Sequence, residues 1–326
     1  MNQRIDIAQG GADLQPIEQA TTKPIRHPNF DIMRLFLALE VVFVHAWDAV
    51  DPNFNWPGWI MAVPAFLAIS GFLVLQSYES SKNWTAFMKK RALRLLPALF
   101  ASFAVCLVLV DWPATYNSIL NWVTGGLYTL PGLKNVPLWS LAWEELAYVI
   151  LALLWMAGAY RRPICIVALL AFSLVVVGLS ADFEPHTRII MFLAPSFFIG
   201  NLMYLYRENL MKVSPVIPWI FLYITIQWRY VPESSYFGGA MLISMHAFSV
   251  VWVGMAGFNI ARFKFPDISY SAYIYHMPLI HFVLFKFKPQ TLTEMLIILS
   301  ALLIPLCVIS WYGLEKPFLA LKNKRK

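Results

Sequence analysis

Apolar residues in this chain come in long runs separated by short polar breaks, and those runs set the expected architecture. Ten of them stand at 31–50, 59–77, 95–111, 138–157, 163–180, 187–206, 215–231, 238–258, 268–286 and 293–314. Each reads as a helix able to enter a membrane, although Gln227 and Arg229 weaken the end of the run at 215–231. Backbone polar groups need internal partners in hydrocarbon, so such a pattern predicts a bundle of helices. The expected fold is all-α: a polytopic membrane helix bundle of about ten transmembrane helices. Residues 1–29 mix Gln, Gly, Thr and Pro with both charge signs. They read as a flexible cytoplasmic tail with no apolar core of a cleavable signal peptide. Residues 30–320 form the expected membrane domain, and 321–326 a basic cytoplasmic tail.

Lys and Arg orient the bundle. Of the 25 cations, 20 fall in the two tails, the start of the first run and alternate loops; the intervening loops hold only Lys134, Arg188, Arg229, Lys286 and Lys288. This split predicts an even number of spans with both termini in the cytoplasm. The inner connection 78–94, YESSKNWTAFMKKRALR, combines cations with Trp84, Phe87 and Met88. It reads as a helix lying at the inner face and running into the third span.

Composition agrees with the pattern: 59% of residues are hydrophobic and only 13% charged. The 13 Trp and 14 Tyr suit aromatic belts at the two interfaces. The net charge of +7 follows from the inner-loop bias and carries no implication of nucleic acid. Cys106, Cys165 and Cys307 each sit in an apolar run without a CxxC, and read as small core residues.

Ionisable groups inside the runs are the candidates for chemistry. Residues 31–48 carry Arg34, Glu40 and His45. Arg34 and His45 are eleven residues apart, so they share one helix face, roughly 16 Å apart along the axis. The plainer alternative is a snorkelling Arg and a hydrated or packing His. Arg91 and Arg94, with Lys90 beside them, make an R-x-x-R whose two guanidiniums form a fork for phosphate, or else belong only to the inner-loop bias. The stretch from Trp139 to Glu144 is followed by Tyr148, one turn on from Glu144. A buried carboxylate there that faced His45 would orient its imidazole; the alternative is an interfacial Glu. The segment from Asp267 to Pro278 is unusually polar for a span. It places Ser269, Tyr273 and His276 on one face, with Tyr270 beside them, and Pro278 frees a backbone carbonyl. Polar helix–helix glue is its alternative reading.

Taken together these residues resemble acyltransferase family 3, the integral-membrane O-acyltransferases of bacterial polysaccharides. The motifs of that family have counterparts in Arg34 and His45, Ser70-Gly71-Phe72, Arg91 and Arg94 with Pro97, Trp139 to Glu144, Asp267 to His276, and Glu315-Lys316-Pro317-Phe318. They cover residues 30–320 in family order. The aromatic pair frequent after the motif Glu is missing at 146–148, and no hydrolase-like domain is expected. The resemblance implies an acyl donor, acetyl-CoA or another acyl-CoA, supplied from the cytoplasm, with no metal. It implies a glycan or lipid-linked saccharide as acceptor, and a place in the bacterial inner membrane among its lipids. His45 is then the catalytic base or a transient acyl carrier, and Glu144 orients it. Arg34, Lys90, Arg91 and Arg94 meet the donor, while Tyr148, Ser269, Tyr270, Tyr273 and His276 line the pocket. The reading from another class is a transporter of a small anion or lipid-linked sugar. Internal inverted repeats, often present in such transporters, are not found in the sequence.

Overall fold

The computed structural model describes residues 27–51, 61–110, 119–120, 122, 135–180, 183, 185–228, 236–256 and 266–321. The expected tails at 1–29 and 321–326 lie outside them except for residues 27–29 and 321. All regular structure among the described residues is helical. The main helices are α1 Pro28–Asp48, α2 Ala62–Glu79, α3 Trp84–Leu109, α4 Leu138–Met156, α5 Pro163–Leu179, α6 Pro185–Met191, α7 Leu193–Leu205, α8 Val216–Trp228, α9 Tyr236–Ala256, α10 Ser269–Phe287 and α11 Leu292–Ser310. A π-helical turn, Trp311–Glu315, then leads into α12, Lys316–Ala320.

Among the described residues every apolar run of the sequence is occupied by helix, and the run at 187–206 is divided at Phe192 into α6 and α7. Within the inner connection, residues 84–94 continue as one helix into the third run, while 78–79 close α2 and 80–83 form the turn. α3 starts at Asn83, whose side chain accepts from the Ala86 N–H at 2.9 Å, and passes through Pro97 without a break. Helix α11 starts likewise on Thr291, which accepts from the Glu294 N–H at 3.2 Å.

Six helical segments are long and apolar enough to cross a membrane: Ala62–Glu79, Trp84–Leu109, Leu138–Met156, Thr187–Leu205, Gly239–Ala256 and Leu292–Ala320. Pro163–Leu179 and Val216–Gln227 are apolar but shorter. The chain is an integral membrane protein. Outside these eight segments stand α1, which holds Asp31, Arg34, Glu40 and Asp48, and α10, which opens on SYSAYIYH. The two helices least suited to lipid pack extensively on each other. Pairing them shields their polar faces from hydrocarbon, where each uncompensated group is costly.

The other large contact joins α2 to α7. It depends on two glycines. A Cβ at Gly71 would collide with the Phe197 carbonyl and lie 3.2 Å from the Gly200 Cα. A Cβ at Gly200 would collide with the Ala68 carbonyl and lie 2.9 Å from the Phe72 nitrogen. The two backbones therefore touch, which is the close approach that small residues permit in membranes. This crossing fixes α2, and with it Ser70, which points into the site.

Helix α10 contains Pro278, which lacks the N–H that Ile274 O would accept four residues back. Asn135, fully buried, fills the vacancy: its Nδ2 donates to the Ile274 carbonyl at 2.7 Å. The freed carbonyl expected from the sequence is thus used to fasten α10 to the segment leading into α4.

Candidate active site

The wall of α1 that carries Arg34 and His45 faces α10. At one end, Arg34 Nη2 donates to Asp31 Oδ1 at 2.8 Å and to Asp267 Oδ2 at 3.4 Å. Arg94 Nη2 forms a close ion pair with the same Asp267 oxygen. Ser269 Oγ donates to Asp267 Oδ1 at 2.7 Å. Asp267, its side chain 13% exposed, is therefore a hub that ties α1 and α3 to the start of α10.

Arg91 sits differently. Its Nη2 donates to Ser77 Oγ at 2.8 Å, and its guanidinium lies 5.6 Å from the Tyr148 ring centre and 5.8 Å from that of Phe87. It makes no ion pair with a described carboxylate, and its buried Nε has no hydrogen-bond partner. Held over two aromatic faces and within electrostatic reach of Glu144, it is a positioned cation with no direct carboxylate contact among the described residues. Lys90 donates to Ser81 Oγ at 2.8 Å at the turn between α2 and α3.

On α4, Glu144 Oε1 accepts from Ser70 Oγ at 2.5 Å and from the Tyr148 hydroxyl. The carboxylate is oriented by α2 and by its own helix. Tyr273 brings its hydroxyl 2.6 Å from Ser140 Oγ and donates to the Pro137 carbonyl at 3.1 Å, while the Tyr270 hydroxyl donates to the Leu95 carbonyl at 3.0 Å.

These side chains line a partly open cavity of about 90 Å³. Its polar lining comes from Arg34, Arg91 and Arg94, from Ser70, Ser140, Glu144 and Tyr148, and from Ser269, Tyr270 and Tyr273. Phe66, Leu67, Leu73, Val74, Leu95 and Leu141 make the apolar part. Polar groups converging beside apolar side chains in one concavity are what a ligand site needs.

His45, His276 and Lys90 do not line this cavity. The histidines stand beyond Tyr273, linked by rings in series: Phe66 to Tyr273 at 5.6 Å, Tyr273 to His276 at 6.1 Å, and His276 to His45 at 5.2 Å between centres. His45 Nδ1 lies 2.9 Å from the Val41 carbonyl oxygen and 3.4 Å from His276 Nε2. His276, fully buried, has its Nδ1 3.2 Å from the Ala272 carbonyl. The polar side chain that meets His45 is thus His276, not Glu144. Helix α4 packs on α2, where its carboxylate finds Ser70, whereas α1 packs on α10.

The sequence reading assigned no role to Asp267, Ser70 or Asn135. Asp267 and Ser70 stood inside recognised motifs, which was their only signal. Asn135 had none, because nothing local shows that a distant helix offers an unpaired carbonyl.

The family described as "Acyltransferase domain" matches residues 27–314, nearly the whole described bundle. Nodulation protein 10 of Rhizobium leguminosarum bv. viciae is 28% identical over 310 residues, covering 78% of this chain and 83% of its own. The O-acetyl transferase of Shigella phage Sf6 is 26% identical over 325 residues, covering 89% of this chain and 95% of its own. No solved structure matches this chain.

Proposed function

This chain belongs to the acyltransferase family, and on that premise we propose that it moves an acyl group, acetyl by preference, from acyl-CoA to a hydroxyl of a cell-surface glycan or of its lipid-linked precursor. The observation that carries this reading is the cavity between α1, α2, α3, α4 and α10, which gathers three arginines, Glu144 and three tyrosines on the path toward a histidine pair.

The lining fits an anionic donor. Arg91 has no carboxylate partner among the described residues, and Arg34 keeps a buried Nε without a hydrogen bond. Phosphate groups on the donor would complete both cations by charge-assisted bonds. Arg94 is occupied by Asp267 and holds the mouth in shape. Lys90, on the turn between α2 and α3, draws the polyanion in at longer range. The positive-inside bias supports a cytoplasmic mouth, and the family resemblance a bacterial inner-membrane location.

In the transfer step His45 takes the proton of the acceptor hydroxyl, whose oxygen bonds to the acyl carbon. The carbon–sulfur bond breaks, and His45 returns the proton to the departing thiolate. An imidazole is suited to both halves of that exchange near neutral pH. Tyr273 lies between the cavity and His276, and its hydroxyl is held by Ser140 and the Pro137 carbonyl, so its ring fixes the wall beside the histidine pair. Glu144 holds Tyr148, and the Tyr148 ring underlies Arg91, so the carboxylate positions the donor-binding cation.

The test is complementation of a deletion strain, read as acyl content of surface glycans. His45→Ala and Arg34→Ala each fail to restore acylation where the wild-type chain succeeds. Restoration by both variants would defeat the proposal.

A further inference from the structure

His45 and His276 form a contact for which acyl transfer as written has no explicit use, and its geometry is more informative than proximity. A carbonyl oxygen only accepts. His276 Nδ1 lies 3.2 Å from the Ala272 carbonyl, so the proton of that ring is on Nδ1 and its Nε2 offers a lone pair. This lone pair points at His45 Nδ1 from 3.4 Å. The same His45 Nδ1 lies 2.9 Å from the Val41 carbonyl. Two acceptors therefore converge on one nitrogen. An Nδ1 without hydrogen would set its lone pair against both.

We infer that His276 is a positioning residue that, together with the Val41 carbonyl, fixes the proton of His45 on Nδ1 and leaves Nε2 as the nitrogen that takes the acceptor proton. The inference rests on His45 being the base. In a neutral imidazole the two nitrogens have opposite roles, and the bond made by one decides the role of the other. When His45 is protonated during transfer, Nδ1–H carries part of the new charge. The Val41 carbonyl and His276 Nε2 are in place to accept it without reorganisation. His276 is fully buried at the α1–α10 contact, so no water competes for that lone pair. A neutral His here does the orienting work that a carboxylate does elsewhere, and avoids a second charge in the membrane interior.

The first test needs no variant of His276. The full chain labelled with ¹⁵N-histidine in lipid nanodiscs shows a pyrrole-type Nδ1 and a pyridine-type Nε2 for His45, assigned by the signals lost in His45→Gln. The opposite tautomer would overturn the inference. In steady-state assays, His276→Ala lowers kcat by about 10- to 100-fold, the range for losing a hydrogen bond to a charged group, and leaves the donor KM unchanged. His276→Gln, whose amide oxygen can accept from Nδ1, recovers most of that loss. Equal activity of the Ala and Gln variants, or a fall in Ala that appears as KM alone, contradicts the positioning role. Full activity of His45→Gln refutes the assignment of His45 as base, whereas the tautomer measurement reports on the pair whatever His45 does in catalysis.

Discussion

The two arginines of the R-x-x-R motif look equivalent in sequence, and the structure gives them different work. Arg94 shares Asp267 with Arg34, while Arg91 has no described carboxylate partner. Consider Arg94→Ala. The side chains of Arg94 and Asp267 are 18% and 13% exposed, so the pair is largely buried. Removing one member of a buried pair costs about 3–5 kcal/mol, chiefly because the other charge is stranded. Arg34 remains 3.4 Å from Asp267 and offsets part of that cost, leaving about 2 kcal/mol. Asp267→Asn loses a similar amount, and the double variant with Arg94→Ala loses little more than either, because no stranded charge remains. Arg91→Ala loses its hydrogen bond to Ser77, its contacts with the Phe87 and Tyr148 rings and a longer-range attraction to Glu144, but no direct ion pair, about 1 kcal/mol. Its effect falls instead on the donor: losing a charge-assisted phosphate contact raises KM by about 10- to 100-fold. The assays are thermal unfolding in a fixed detergent and donor titration of the initial rate. If Arg91→Ala and Arg94→Ala changed stability and KM alike, the division of labour would be refuted. If the Arg94 and Asp267 variants were additive in stability, the hub at Asp267 would be refuted.

Three further outcomes are expected. Asn135→Ala strands the Ile274 carbonyl and lowers stability by about 1–3 kcal/mol, measured by thermal unfolding, whereas Asn135→Ala with Pro278→Ala regains part of it because the helix can close its own bond. Gly200→Ala forces α2 and α7 apart and destabilises by about 1–3 kcal/mol or more in the same assay; a neutral result would show that the crossing relaxes freely. Ser70→Ala and Tyr148→Phe each remove one donor from Glu144; both reduce kcat/KM, and the double variant falls less than the sum of the two in free energy, since they serve one carboxylate.

The helices and their chemistry were legible from local pattern, and their pairing was not. Period and length place Arg34 and His45 on one wall of α1, and Ser269, Tyr273 and His276 on one face of α10, because both follow from 3.6 residues per turn. The same pattern shows that these two stretches suit lipid poorly, and the structure resolves this by packing one on the other. Which side chain then meets His45 depends on how helices far apart in sequence are ordered. Glu144 was a reasonable candidate by charge, yet α4 is held on α2, and the imidazole opposite is His276. Likewise R-x-x-R announces two cations without saying that one is already neutralised, since Asp267 lies 173 residues further along the chain than Arg94. Gly71 and Gly200 show the same limit: Gly71 stood in a motif and Gly200 in an apolar run, and neither position told that the two backbones touch.

The central claim is acyl transfer dependent on His45. Its most direct measurement uses the purified full chain in nanodiscs with isotopically labelled acetyl-CoA and surface glycan from a deletion strain, read by mass spectrometry of the glycan. The wild-type chain places labelled acetyl ester on the glycan, His45→Ala binds the donor but places none, and label on the glycan at an undiminished rate with His45→Ala would contradict the claim.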